Sequence, residues 1–477
     1  MRTLILITSA MLSASPALAS DFRKTEPAPL EARPFQLPEA QTGQLSNGVQ
    51  VTVVENNEVP MVNVRIAFDR GSWNDTVEMA GLASVTLDML NEGAGEYDAS
   101  GLSTASKRLA ANINSWASND ASQLSLGVLT KNIAPGLDLL TTVLMEPTFE
   151  QDDWDLMKKD RIAGLASARN NPRSIASRVS SRLIYGETYK GILKTEETYE
   201  AITTDDMRAW WTTHLVPGNA QIFVGGDTNL ETILPLLEER FGSWTGESTE
   251  ADRPQTTQAN VEQTTIFLVD KPGAPQSVLN VFRCLDLKKT DDHWFNATMG
   301  NMMYGGMFSA RLNMNLREDK GWTYGARSGL YADYAPGVWK ASTSVKTDTT
   351  ADSISEIMRE VNESKADRPF VEDELSATSG YMLGSRPVRF EQPNYLLDQI
   401  QSIWLYGLPE DWVTGYADRV RSVSTEAAQS AWNEQIIAEQ LSVLVVGDAA
   451  TIRTGLEALG YPIVELDTDG NELETAK

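Results

Sequence analysis

An arginine and a tyrosine seven positions apart, Arg317 and Tyr324, are the side chains of this sequence best suited to hold a carbonyl oxygen. A guanidinium is a permanent cation, and a phenol donates an O–H while staying neutral. Donors placed where negative charge develops in a reaction are among the strongest catalytic devices known. The flanking residues predict how the pair is carried. The later part of Gly305 to Leu316 has the apolar/polar pattern of a helix, and Gly321 stands where that helix should stop. A residue without Cβ takes the left-handed cap conformation at little steric cost. Trp322 to Ser328 reads as a strand. Arg317 is therefore expected in the last helical turns and Tyr324 near the start of the strand, aimed from one helix–turn–strand corner. On spacing alone the plainer reading is favoured, in which Arg317 pairs with Glu318 or Asp319 and Tyr324 packs in a sheet.

The surrounding residues shift that balance. Gly305-Gly306-x-Phe308-Ser309-x-Arg311-Leu312, followed by Leu316-Arg317-Glu318-x-Lys320-Gly321-x-Thr323-Tyr324, resembles the pitrilysin/insulinase family of zinc peptidases. The likeness is to the half of those clam-shaped enzymes that carries an Arg/Tyr pair and no metal. The resemblance implies that Arg317 and Tyr324 reach across to a substrate carbonyl beside a zinc site in the other half. It also makes Gly305-Gly306 a flexible loop before the Arg-Leu helix.

The family's metal motif, H-x-x-E-H, should follow Gly81-Leu82-Ala83. Here Ser84 and Asp88 stand at the two His positions and Leu87 at the Glu. Zinc binding needs two imidazoles at i and i+4, with the Glu acting as general base. Leu87 can accept no proton. The family's further Glu ligand aligns, more softly, with Ser167. The chain holds only two His, His214 and His293, and nothing in the sequence places them together. This chain is expected to bind no metal or other cofactor itself.

Composition narrows the classes further. A net charge of −26 argues against nucleic acid, whose phosphates need a basic face. It leaves open attraction of basic peptides or a basic partner. One Cys, Cys284, permits no intramolecular disulfide, and its apolar surroundings suit a buried thiol. Arg2, the apolar run Leu4 to Met11 and Ala17-Leu18-Ala19 read as an export signal. No later stretch is long and apolar enough for a membrane span. A periplasmic location follows as the expectation.

The elements that must position these residues repeat. Pro147-Thr148-Phe149 is echoed by Arg368-Pro369-Phe370, and Ile222 to Asp227 by Val443 to Asp448; both Phe149 to Phe370 and Asp227 to Asp448 are 221 positions. That points to a duplicated domain. The expected organisation is a signal at 1–19, an extended segment at 20–42, a first domain at 43–244, a linker at 245–263, a second domain at 264–466 and a loose acidic tail at 467–477. Strands and helices segregate, so each domain should be α+β, a mostly antiparallel sheet with packed helices. The resemblance then implies the metal-free subunit of a heteromeric zinc peptidase. Its partner would carry H-x-x-E-H and the zinc, and the substrate would be an unfolded peptide. The alternative is a catalytically inactive peptide-binding or scaffold protein of the same fold.

Overall fold

Runs of β-branched and aliphatic residues build two six-stranded sheets. A computed structural model describes residues 38–248, 253–254 and 260–474. The signal call at 1–19, and residues 20–37 of the extended segment, lie outside them. The first sheet contains β1 (Ala40–Gln44), β2 (Gln50–Glu55), β3 (Met61–Phe68), β6 (Asn112–Ala117), β7 (Ser122–Leu129) and β8 (Ala220–Gly226). A two-stranded hairpin, β4 (Gly93–Ala94) and β5 (Tyr97–Asp98), stands apart from it. The second sheet contains β9 (Thr265–Asp270), β10 (Gln276–Cys284), β11 (Thr323–Tyr331), β12 (Val338–Lys346), β13 (Ser442–Gly447) and β14 (Ile463–Leu466).

The two sheets share one topology. The first runs β6-β7-β3-β8-β2-β1 and the second β11-β12-β10-β13-β9-β14. In each, four central pairings fall in the same order, antiparallel except for β8–β2 and β13–β9. Only the last strand differs: β1 comes first in the chain and is antiparallel, whereas β14 comes last and is parallel. The fold is α+β in two halves.

Each sheet has one face on its own half's helices and one on a helix from the other half. Helix Pro172–Tyr185 buries Ile175, Ala176, Val179 and Ile184 against Val278, Phe282 and Cys284 of β10 and Leu444 and Val446 of β13. Helix Pro393–Tyr406 returns the exchange, placing Leu396 and Leu397 against Val54, Ala67 and Phe223 of the first sheet. Both helices open with a proline, whose missing N–H costs nothing in the first turn. Pro172 and Pro393 are again 221 positions apart. Gly225 makes the second contact close, because a Cβ there would sit 2.8 Å from Leu397 Cδ1. Burial on both faces explains why β13 is a nearly continuous apolar run.

Two expectations are corrected, the start of the first domain and the loose tail, and the linker proves to be anchored. Strand β1 begins at Ala40, inside the segment expected to be extended lead-in, and pairs with β2 from Val54 onward. Its residues are half exposed, as in an edge strand, so no apolar alternation announced it. The polar stretch 245–263 is tied down where it is described. Arg253 donates to Asp120 at 2.6 Å and lies 3.6 Å from the Tyr334 ring and 4.7 Å from that of Trp73. The acidic tail is not loose at its start, since Asp469 pairs with Arg169 at 2.8 Å and Arg178 at 2.9 Å. Among the described residues no helix is long and apolar enough to cross a membrane.

Leu397 is fully buried at the exchanged contact. Leu397→Ala is expected to cost about 2–5 kcal/mol in urea unfolding, as for other buried leucines. A loss under about 1 kcal/mol would contradict close packing of this helix on the first sheet.

Candidate functional site

The corner predicted around Arg317 is built from an irregular helix and a bulged edge strand. Helix Arg311–Asn313 widens into a π-turn, Met314–Asp319, that carries Arg317. Gly321 ends it with φ +65°, its N–H reaching Arg317 O at 3.1 Å, while Trp322 N–H reaches Leu316 O at 3.0 Å. The chain then enters β11, the outermost strand of its sheet. Register with β12 slips between Thr323 and Ala326, leaving Tyr324 and Gly325 as a bulge. Thr343 Oγ1 holds that bulge by donating within reach of Thr323 Oγ1 at 2.9 Å and Gly325 O at 3.1 Å. Bulges re-aim side chains, and Tyr324 is 92% exposed.

Arg317 is half exposed and touches Glu318 at only 3.4 Å. Its guanidinium lies 4.6 Å from the Phe308 ring, and Arg327 approaches the same ring at 5.6 Å. Asn313, fully buried, locks the parts together. Its amide donates to Phe308 O at 2.7 Å and accepts from Ala326 N at 3.1 Å. The flexible loop expected at Gly305-Gly306 is instead a helical turn, Met302–Gly306. A Cβ on Gly305 would lie 2.5 Å from Ser328 Oγ, so the glycine lets this turn sit directly on β11. Phe308, Asn313 and Arg327 were missed by sequence reasoning, although Phe308 lay inside the recognised motif.

The degenerate metal motif lies on helix Leu82–Met89, entered through left-handed Gly81. Leu87 is fully buried, and Ser84 is half-buried. Asp88 forms a close ion pair with Arg161 of helix Gln151–Ala168. Ser167 of that helix is exposed, so Arg161 is the residue that meets the motif. Burial raises the Asp88 pKa against the pull of Arg161 and Lys194, and burial lowers that of Lys194. Neighbouring Asp75 is pushed up to about 7 by burial, although it accepts from Gly81 N at 3.0 Å and Ala83 N at 2.9 Å. These residues do not fit a zinc ion: the Asp88 carboxylate is already paired with the Arg161 guanidinium, and Ser84, Leu87 and Asp88 supply no imidazole. Among the described residues, no group of three or more His, Cys, Asp or Glu could hold a metal.

The histidines lie elsewhere. His214 packs 4.8 Å from the Trp210 ring, and burial, helped by Arg70, lowers its pKa to about 4. His293 precedes helix Trp294–Asn301 as its N-cap. Cys284 is buried in the exchanged core, its thiol pushed up to about 11.

Two family models match this arrangement. Residues 51–192 match the one described as insulinase (peptidase family M16), and residues 201–378 the one described as the peptidase M16 inactive domain. The chain belongs to the M16 family of peptidases. Within M16 it is 23% identical over 395 residues to the non-peptidase homolog YmxG of Helicobacter pylori, covering 81% of this chain and 89% of that protein. It is 24% identical over 289 residues to the uncharacterized zinc protease YmxG of Bacillus subtilis, covering 59% and 68%. The crystal structure of a peptidase M16 inactive domain from Pseudomonas fluorescens superposes with a TM-score of 0.78 at 23% identity, over 86% of this chain and 98% of that one. The periplasmic protease PqqL of Escherichia coli gives a TM-score of 0.72 at 16% identity, over 92% of this chain and 49% of that one. This M16 member lacks the residues of the family's metal motif.

Two outcomes are expected. Equilibrated with zinc and then dialysed, the purified chain should retain far less than one zinc per chain by atomic absorption; stoichiometric retention would contradict the Arg161 pairing. A His held neutral by burial binds fewer protons folded than unfolded between about pH 4 and its ordinary 6.5. Its contribution therefore makes stability fall as pH drops through that window. His214→Phe should show a shallower loss in chemical unfolding between pH 6.5 and 4, and an unchanged slope would refute the burial argument.

Proposed function

We propose that this chain is the metal-free subunit of a heteromeric M16 peptidase, acting in the periplasm on unfolded peptides. Its first domain (43–244) keeps the fold of a zinc-bearing half without its ligands. Its second (264–466), joined through 245–263, presents Arg317 and Tyr324. The observation that carries this reading is the contrast between two sites within the same chain. The motif helix is tied through Asp88 to Arg161 of the neighbouring helix Gln151–Ala168, whereas Tyr324 stands 92% exposed on a bulge held by the Thr343 hydroxyl. Among the described residues no hydrogen bond holds the exposed Tyr324 phenol, which supports its serving a molecule other than its own chain.

A homologous partner with H-x-x-E-H would supply the zinc and the activated water. Tyr324 would donate its O–H to the substrate carbonyl oxygen as charge builds there, and Arg317 would hold a neighbouring backbone carbonyl. Export of the chain is supported by the residue pattern at 1–19 and by the periplasmic character of the PqqL protease that shares its fold.

The test is peptidase activity on a quenched unstructured peptide with this chain alone, the zinc partner alone, and both together. Activity is expected only in the mixture. Tyr324→Phe should lower it by about a hundred- to a thousandfold while partner binding persists, as for removal of one oxyanion donor elsewhere. An inactive mixture, despite a zinc-loaded partner in a folded complex, would instead support the catalytically inactive peptide-binding or scaffold protein.

A further inference from the structure

Several arginines at and around the Arg317–Tyr324 corner form no ion pair among the described residues, although Glu318 and Asp319 are exposed beside Arg317. The chain carries a net −26, and most described arginines rest on a carboxylate, as Arg311 does on Glu374 at 2.6 Å and Arg253 on Asp120 at 2.6 Å. Arg327, Arg386 and Arg389 form none of the ion pairs found among the described residues. Arg327 donates only to its neighbour's carbonyl, Ala326 O, at 2.9 Å. Burial, and then the charge of Arg317 across the shared Phe308 ring, make its guanidinium easier to deprotonate.

The other two arginines lie one helical turn apart on helix Glu372–Phe390. Arg386 lies 3.6 Å from the Tyr416 ring and donates to Val413 O at 3.3 Å, leaving its charge without a counter-ion. Arg389 is exposed. With Tyr381, Ser385, Tyr395 and Tyr416, they line a pocket of about 140 Å³, room for a carboxylate and the short stem that bears it. Tyr381 joins the two places, since it lines this pocket and also lies within electrostatic reach of Arg327.

Arg317 repels Arg327 beside the Phe308 ring, Arg389 repels Arg386 on their shared helix, and an anion would relieve the repulsion at either place. Guanidiniums also bind carboxylates in a bidentate fork, which lysines cannot do. We propose that this surface selects acidic peptides. An aspartate or glutamate near the bond held at Arg317 and Tyr324 is met by Arg327, and a second carboxylate enters the pocket of Arg386 and Arg389. This rests on the proposed function of the corner and gives it a substrate class. The acidic rest of the molecule would repel such peptides elsewhere, which would sharpen the preference for these arginines.

The test is fluorescence anisotropy of labelled, unstructured peptides on the full chain, alone and with its zinc partner. One peptide carries Glu and Asp, a second has Gln and Asn in their places, and each is made with a free and an amidated C-terminus. The acidic peptide is expected to bind about tenfold more tightly than the neutral one at low salt, with the difference shrinking as salt is raised. Arg386→Gln/Arg389→Gln should cut that ratio to under about twofold; Arg389→Gln alone, at an exposed position, should lower it without any change in melting temperature. Preference that follows the free C-terminus rather than the acidic side chains would overturn the proposal. Equal affinities, no saturable binding of the acidic peptide, or discrimination surviving in the double variant would overturn it too. Arg317→Ala and Tyr324→Ala read the corner separately. Neutral-peptide affinity unmoved by both would count against the corner as the peptide site, whatever the charge ratio shows.

Discussion

Exchange of one helix between the halves is the constraint on which the rest depends. Each sheet has an apolar second face, and an exposed face of that size would be unstable in water. Helix Pro172–Tyr185 covers the second sheet, and helix Pro393–Tyr406 covers the first. Neither half can therefore be removed without uncovering the other. Polar contacts repeat the exchange: Asn280 donates to Ser180 at 3.0 Å, and Arg65 reaches Gln401 at 3.5 Å. Ser180 and Gln401 are themselves 221 positions apart. The sheet that carries the Arg317–Tyr324 corner is therefore covered on one face by a helix of the first half.

The same duplicated frame now bears two different electrostatic solutions. At the motif helix, a position that in metal-binding relatives must concentrate donors holds Asp88 against Arg161, and Asp75 and Lys194 are buried beside them. The guanidinium satisfies the carboxylate internally and would repel a divalent cation. At the corner, Arg317 has only the long contact to Glu318, Arg327 has no ion pair among the described residues, and the tyrosine faces outward. One site is closed by an ion pair, and the other keeps an exposed tyrosine beside sparsely paired arginines.

Much of this was legible in the chain. Gly321 marked the helix end because only a residue tolerant of φ +65° fits there, and it fixed Arg317 and Tyr324 on either side of the turn. Ser84, Leu87 and Asp88 were legible as a lost motif because metal chemistry tolerates few donor types. The Asp88–Arg161 pair was hidden because its members are 73 residues apart, with no local pattern to join them. The helix exchange was hidden for a related reason: an apolar stripe looks the same whichever sheet it covers. Gly305 and Gly306 were misread as a loop because glycine signals both flexibility and close approach, and here the backbone packs on Ser328. Strand β1 escaped notice as a polar edge, where half-exposed residues leave no alternation to read.

The central claim is that Tyr324 completes a metal site held by another chain. The most direct measurement places 3-fluorotyrosine at position 324 and follows its fluorine resonance on adding the partner loaded with zinc or with paramagnetic cobalt. The account predicts strong broadening or shift with cobalt and little with zinc, because the phenol lies within contact range of the metal-bound substrate. Identical spectra with the two metals, in a complex shown to be saturated, would place Tyr324 far from the metal and contradict the shared site.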